Sequence, residues 1–167
     1  ALLDGVTAED LREALEGAAL EETARRGKHL MARISSGKWL CLHFGMTGFL
    51  KYYLKKENEP GHDRVRLGFE SGYHLAYDCQ RKLGRVGLAE SPEHLASDED
   101  LGPDALASEL TREDFARMLQ GKRGTLKSAL MNQELLAGIG NVYSDDILFQ
   151  LGLHPKAKLE DLDEAAL

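Results

Sequence analysis

Short apolar segments separated by turns are the feature that most constrains how this chain can fold. Between residues 29 and 88, six segments of β character alternate with turns that contain glycine, serine or proline. Regularly spaced short strands with polar turns are typical of an antiparallel sandwich or barrel. The predicted strands are His29–Ile34, Trp39–Phe44, Phe49–Leu54, Val65–Phe69, His74–Tyr77 and Val86–Leu88.

One amphipathic helix is predicted before these strands. Thr7 is a suitable N-cap, and Asp10 stands at the position that completes a capping box. Leu11, Leu15 and Leu20 follow at apolar positions, and Gly17 is predicted to end the helix.

The character of the sequence changes near residue 90. Residues 91–110 are acidic, contain two prolines and are predicted to form a linker. Three helical segments follow, Thr111–Gln120, Thr125–Leu135 and Asn141–Leu151, the last with Asn141 as its predicted N-cap. The predicted fold class is α+β: an antiparallel β-sandwich over residues 1–90, an acidic linker over 91–110, and an all-helical domain over 111–167.

Composition excludes several classes of protein. No apolar run approaches the roughly 18 residues that a membrane span requires, and no basic region precedes an apolar stretch at the amino terminus. The two cysteines, Cys41 and Cys79, lie far apart without CxxC spacing. We therefore expect no metal site or cofactor in this chain, no membrane partner, and a reducing, cytoplasmic location.

Charge is unevenly distributed, which matters more than the net charge of −7. Residues 25–56 carry eight basic residues and no acidic one, and residues 115–133 carry four basic residues and no acidic one. Between them, residues 90–114 carry nine acidic residues and one basic one. A single charged run is usually a solvated face, but two acid-free basic blocks favour a polyanionic partner, because binding depends on local potential.

The most informative motif is a helix, a tight glycine turn and a second helix. Gly138 and Gly140 remove side chains where a phosphate would approach backbone N–H groups, and Asn141 places an amide at a helix amino terminus. Lys127 on the first helix would add a positive charge for the same phosphate. An ordinary helical hairpin, with glycines that only make the turn, is the alternative interpretation.

The segment from Lys127 to Phe149, followed by Gly-Leu-His154-Pro, resembles the helix–two-turn–helix of the formamidopyrimidine-DNA glycosylase and endonuclease VIII superfamily. The match extends over some thirty residues. It implies that Lys127 and Asn141 bind phosphates that flank a lesion and that Tyr143 supports the site.

Two segments of the β-rich half are similar to the same family. Arg25-Arg-Gly-Lys28 resembles its basic strand entry, which implies that Lys28 contacts the DNA backbone near the lesion and assists catalysis. The alternative is a surface lysine beside a strand. His43-Phe-Gly-Met46-Thr-Gly resembles the turn whose methionine fills the space left by a flipped base. A lone methionine is usually core filler, but glycines on both sides favour an exposed wedge.

A third similar segment is His62-Asp-Arg64-Val, which resembles the family's His-Asp-His-Val with arginine in place of the second histidine. The resemblance implies that His62 and Arg64 bind DNA.

The fourth is Arg81-Lys82-Leu83-Gly, which corresponds to Arg-Arg-Phe-Gly. There Arg81 is implied to hydrogen-bond the orphaned base and to fill the void, and Lys82 replaces an arginine that contacts phosphate. Leu83 stands where the family has an intercalating phenylalanine. The family's preceding Asp-Pro is Cys79-Gln80 here, so the path of this loop is open.

The resemblance implies an enzyme of DNA base-excision repair, a bifunctional DNA glycosylase and AP lyase. Its partner is damaged duplex DNA, from which it flips out an oxidised base, more like the purine branch, excises it and nicks the abasic site by β-elimination. A monomer in the cytoplasm, associated with the nucleoid when it is bound to DNA, is expected.

Two parts of such an enzyme are not found in the sequence: the amino-terminal Pro-Glu, whose proline amine is the nucleophile, and the carboxyl-terminal zinc finger with its two CxxC pairs. The family's first strand and its amino-terminal helix, which precede the part that this sequence matches, are not found either, so an incomplete sandwich is expected. We expect these 167 residues alone to be inactive, and zinc only in the finger of a full-length member. A fragment of a longer enzyme, a non-catalytic relative that binds damaged DNA, and another nucleic-acid role for the hairpin remain the three alternatives.

Overall fold

The first helix forms where the capping residues predict it. In the computed structural model, which describes residues 2–161, α1 spans Ala8–Leu15. The Thr7 hydroxyl accepts a hydrogen bond from the Asp10 amide, and the Asp10 carboxylate accepts one from the Thr7 amide, at 3.1 and 2.7 Å. These bonds satisfy N–H groups that have no acceptor inside the helix. Donation from the Thr7 amide, and from the Thr7 hydroxyl, to the Asp10 carboxylate also holds the pKa of Asp10 below its usual value.

Within residues 2–161, seven strands form two sheets with antiparallel pairing, which confirms the predicted α+β class. One sheet has the order β1-β2-β3-β7 and the other the order β4-β6-β5. The strands are β1 Leu20–Arg26, β2 His29–Ile34, β3 Trp39–His43, β4 Phe49–Tyr53, β5 Asp63–Gly68, β6 His74–Asp78 and β7 Arg85–Ala89.

Strand β1 was not predicted from the sequence. Leu20 was assigned to the first helix, and this is wrong: Leu20 begins a strand of sequence LEETARR. The strand lies at the edge of its sheet, and most of its residues are exposed or half-buried. An edge strand with polar side chains on both faces has little apolar alternation, so its pattern does not stand out from a loop.

Both sheets contribute to one apolar core. Ile34, Leu40 and Leu42 from the first sheet cluster with Tyr77, which belongs to the second. Leu11 of α1 joins the same cluster and is 6% exposed. The two sheets therefore pack as a sandwich, and α1 contributes to its core.

The three predicted later helices form but are shorter than predicted: α3 spans Arg112–Leu119, α4 Leu126–Met131 and α5 Asn141–Gln150. A further helix, α2, spans Pro92–Asp98. Two expectations need correction: α2 lies within the segment that was expected to be only a linker, and Gly140 rather than Asn141 is the N-cap of α5. Asn141 is the first residue of that helix.

The chain divides into two compact units. The sandwich unit contains residues 2–25 and 29–92, and the helical unit contains residues 26–28 and 93–161. The last residue of β1, Arg26, and the two turn residues Gly27 and Lys28 thus belong to the helical unit by their contacts. Leu119, Leu126, Leu130 and Leu148 form the core of the helical unit. Within residues 2–161, no helix is both long and apolar enough to cross a membrane.

Candidate nucleic-acid interface

In the helical unit, Lys28 lies beside the amino terminus of α5. A Cβ atom added to Gly140 would be 3.5 Å from Cε and 3.6 Å from Nζ of Lys28. Gly140 caps α5 without a side-chain hydrogen bond. The first N–H groups of a helix have no acceptor within it, so an anion at this point would meet them together with the Lys28 amine. Burial lowers the pKa of Lys28, since the charged amine is partly removed from water.

A buried carboxylate fixes the turn that carries Lys28. The Gly27 amide donates to Oδ2 of Asp104 at 2.8 Å, and the Leu106 amide donates to Oδ1 at 2.9 Å. Asp104 is only 5% exposed. Gly27 has φ of 54°, and a Cβ there would lie 3.3 Å from the Cβ of Ala137. Asp104, which lies in the segment that was predicted to be an acidic linker, thus positions the residue before Lys28.

The glycine turn before α5 is braced by Gln133. The Gly138 amide donates to Oε1 of Gln133 at 3.0 Å, and Nε2 of Gln133 donates to the Met131 and Ile139 carbonyls at 2.7 and 3.0 Å. Gly138 has φ of 110°, a conformation that glycine adopts readily. Its N–H group already donates to Gln133, so a phosphate at this turn would meet the N–H groups at the start of α5 instead.

Lys127 of α4 forms an ion pair with a carboxylate of α5. Its Nζ lies 2.6 Å from Oδ1 of Asp145, and the two side chains are 24% and 47% exposed. A phosphate that binds Lys127 would therefore lie next to the charge of Asp145. Asn141 and Tyr143 are exposed on the same helix, Tyr143 by 68%.

In the sandwich unit, Met46 is a surface residue. Its side chain is 73% exposed, so the alternative that it fills the core is wrong. Nη1 of Arg81 lies 3.5 Å from Sδ of Met46, and the Arg81 amide lies 3.5 Å from Oγ1 of Thr47. Leu83 is half exposed. The β3–β4 turn and the β6–β7 loop thus present Met46, Arg81 and Leu83 from one unit.

Glycines let these two loops approach each other. A Cβ at Gly45 would lie 2.6 Å from the carbonyl carbon and oxygen of Leu83, and one at Gly84 would lie 1.7 Å from Oη of Tyr77. That hydroxyl donates to the His43 carbonyl at 2.8 Å, and burial raises the pKa of Tyr77. Side chains at these two glycines would not fit, so the loops bearing Met46 and Leu83 have backbone packed against backbone.

The other residues implied in DNA binding lie near the same loop. His62 is exposed, and its backbone amide donates to Oδ2 of Asp78 at 2.6 Å. Lys82 is exposed and has φ of 53°, which is uncommon for a residue with a side chain. Arg64 is half-buried and donates from Nε to the Cys79 carbonyl at 3.1 Å.

Two family models match the chain. One describes the formamidopyrimidine-DNA glycosylase N-terminal domain and matches residues 1–86, and the other describes the H2TH domain of the same enzymes and matches residues 101–167. The chain belongs to the formamidopyrimidine-DNA glycosylase family. The resemblance inferred from the motifs is thereby confirmed.

Curated relatives and solved structures agree with this assignment. The chain is 36% identical over 160 residues to formamidopyrimidine-DNA glycosylase of Synechocystis sp., covering 90% of this chain and 56% of the relative. Against the enzyme of Herpetosiphon aurantiacus it is 30% identical over 162 residues, covering 97% and 59%. The Lactococcus lactis Fpg structure in complex with DNA that contains an abasic site matches with a TM-score of 0.85 and 27% identity, covering 95% of this chain and 59% of that one. Another Lactococcus lactis Fpg structure, with DNA that contains FAPY-dG, matches equally well. The chain thus spans between half and three fifths of the length of these relatives.

Proposed function

We propose that this chain is the part of a DNA base-excision repair enzyme that grips damaged duplex DNA and stabilises a flipped-out nucleotide. The whole protein would excise an oxidised base, in our proposal a purine, and nick the abasic site by β-elimination. The observation that carries the proposal is the exposed Met46 side chain in contact with Arg81 on two tightly packed loops.

The energetics of base flipping explain why such a pair is useful. Extruding a nucleotide costs a few kcal/mol of stacking and pairing, and side chains inserted into the duplex recover part of this cost. Met46 is apolar and exposed, and Arg81 carries donors for the edge of the base left without a partner. A protein that only bound the phosphate backbone would gain nothing from exposing a methionine to water.

The helical unit would supply the sequence-independent part of binding. Lys28 and the free N–H groups at the start of α5 form one candidate phosphate site, and Lys127 with Asn141 forms another. His62, Lys82 and Tyr143 are exposed and are proposed to make further DNA contacts. The assisting role of Lys28 near the lesion is part of the same proposal, and burial beside Gly140 supports it.

Several finer statements belong to this proposal. Supporting relatives are bacterial glycosylases, so a monomer in the cytoplasm that associates with the nucleoid is proposed. Zinc is proposed only for a finger of the full-length enzyme. That these 167 residues alone lack lyase activity stays a prediction, and trapping with borohydride would test it.

Truncation of Met46 tests the void-filling role. For Met46→Ala we expect binding to a duplex with a stable abasic analogue to fall about fivefold, equivalent to about 1 kcal/mol, because only that complex uses the inserted side chain. Binding to undamaged duplex should change less than about twofold, since phosphate contacts are intact. Affinities of both duplexes are measured by fluorescence anisotropy at one salt concentration.

The control is Leu54→Ala, which removes another exposed apolar side chain, 51% exposed, from the same unit. It should change neither affinity. A loss of about 2–5 kcal/mol of stability in Met46→Ala would be the signature of a core residue instead. Equal losses for both duplexes, or no preference of the unaltered chain for the abasic duplex, would contradict the proposal.

A further inference from the structure

An irregularity in β5 directs Arg64 towards the loop that carries Arg81. Strand β5 pairs Asp63 with Asp78 and Val65 with Tyr77, so the single residue between Asp63 and Val65 has no partner in β6. This is a β-bulge, which bends a strand and redirects a side chain. Arg64 is the bulged residue, and its guanidinium donates from Nε to the Cys79 carbonyl at 3.1 Å and from Nη2 to the Gln80 carbonyl at 3.5 Å.

The turn that Arg64 bonds begins at a buried residue, Cys79, whose amide donates to the His62 carbonyl at 3.1 Å. The Cys79 carbonyl also accepts from the Lys82 amide at 3.2 Å, which closes a turn over residues 79–82. Lys82 lies in the left-handed region at φ of 53°, a conformation that surrounding contacts must maintain in a residue with a side chain. The Arg81 amide is 3.5 Å from Thr47, at the limit of a hydrogen bond. Nε of Arg64 thus makes the shortest contact of a side-chain donor with this turn among the described residues.

Both partners in this contact depart from the family pattern. Arginine stands at position 64 where the motif has histidine, and Cys79-Gln80 stands where it has Asp-Pro. A proline fixes its own φ and reduces the freedom of the residue before it, whereas glutamine does neither. The hydrogen bonds from Arg64 reach the carbonyls of these same two residues, so they restrain the segment that lacks the proline.

We propose that Arg64 is a positioning residue, which holds the turn of residues 79–82 and thereby fixes Arg81 beside Met46. Its consequence for recognition rests on the proposed function: with the turn held, Arg81 distinguishes strictly between bases opposite the lesion. This differs from a direct contact between Arg64 and phosphate, because a lysine retains the charge that attracts phosphate, whereas the two carbonyls are bonded by two separate nitrogens of one planar guanidinium.

Lysine and alanine at position 64 separate these roles. Lysine keeps the charge but has a single nitrogen, which cannot span both carbonyls as the planar guanidinium does. We expect amide hydrogen exchange over residues 79–84 to accelerate roughly tenfold in both Arg64→Ala and Arg64→Lys, because the turn opens locally. The control is Arg66→Ala. Arg66 lies on the same strand, but its ion pairs are with Asp63 and Glu59, so exchange in the loop should be unchanged.

Recognition is measured with duplexes in which a stable abasic analogue faces each of the four bases. The ratio of the strongest to the weakest affinity should fall at least threefold in both Arg64 variants. It should stay constant in Arg66→Ala. The lost hydrogen bonds are worth about one order of magnitude in affinity at most, which sets the upper limit of the change. Unchanged loop exchange in Arg64→Lys would overturn the positioning role. Faster loop exchange with an unchanged ratio of affinities would overturn the consequence of Arg64 positioning for recognition. In that case a retained preference for abasic over undamaged duplex would still support the proposed function. If the unaltered chain lacks that preference, the proposed function fails, and loop exchange alone decides the role of Arg64.

Discussion

The ion pair between Lys127 and Asp145 makes a prediction that runs against the usual effect of breaking a salt bridge. Lys127 is proposed to bind a phosphate, yet its Nζ lies 2.6 Å from a carboxylate oxygen of Asp145. A phosphate on the same ammonium group would lie close to a second anion. Asp145→Asn removes that anion and keeps the shape of the side chain, so we expect it to strengthen DNA binding.

The size of the effect follows from the distance and the exposure. Two anions that contact one ammonium group are about 4.5 Å apart, and their repulsion is about 1 kcal/mol in a medium like water. Asp145 is 47% exposed, so the value near the water limit applies, and salt reduces it further. Affinity should therefore rise about fivefold at low ionic strength and less at high ionic strength. The opposite change, Lys127→Ala, should reduce the magnitude of the salt slope by about one unit.

Affinity for a fixed undamaged duplex, measured by anisotropy over a series of salt concentrations, tests this reasoning. The matched control is Asp146→Asn, which removes the same charge one residue further along α5, where the side chain is exposed. It should change affinity less than about twofold, since water and salt screen an exposed surface charge. Weaker binding by Asp145→Asn would refute the argument, because it would mean that Asp145 holds Lys127 in its binding position. Equal effects of the two substitutions would mean that the change in affinity comes from the net charge of the protein and not from the contact between Lys127 and Asp145.

Two further predictions concern stability. Gly84→Ala would place a Cβ 1.7 Å from Oη of Tyr77, so we expect the free energy of unfolding to fall by about 3 kcal/mol, with a clearly lower melting temperature. Gly61→Ala is the control and should have little effect, because a Cβ there would have no atom within 4 Å. Equal melting temperatures of the two variants would contradict the packing of the loops that carry Met46 and Leu83. Asp104→Ala would leave the buried Gly27 amide and the part-buried Leu106 amide without this acceptor, at a cost of about 1–3 kcal/mol in urea unfolding. A cost below about 0.5 kcal/mol would show that the carboxylate does not hold the turn.

Local sequence signals predicted those parts of the fold that local chemistry determines. The capping box of Thr7 and Asp10 places the start of α1 correctly, and a second one, between Thr111 and Asp114, starts α3. Strand β2 has the predicted bounds, His29–Ile34, because three of its four buried positions, Met31, Ala32 and Ile34, are apolar. In each case the residues that decide the structure lie within a few positions of one another.

The features that were missed depend on residues far apart in the sequence. Asp104 stands among acidic neighbours, and only its contact with Gly27, 77 residues away, distinguishes it from a solvated linker residue. The pairing of Lys127 with Asp145 across 18 residues is equally invisible in a motif. The composition of the neighbouring sequence does not determine the burial of a residue or its hydrogen-bond partners, because these depend on which distant segment packs against it.

The distribution of charge along the sequence is weak evidence for a DNA partner, and the structure shows why. In the basic stretch of residues 25–56, Arg33 forms ion pairs with Glu21 and Glu22 of the neighbouring strand, and Lys38 lies 3.8 Å from Glu90. A run without acids in sequence is therefore partly neutralised by acids that pairing of the strands brings beside it. Lys28 differs, because its amine lies at the start of a helix, where backbone N–H groups add to its charge. The local geometry of Lys28 supports binding of an anion more strongly than the count of basic residues does, and a net charge of −7 is no obstacle to it.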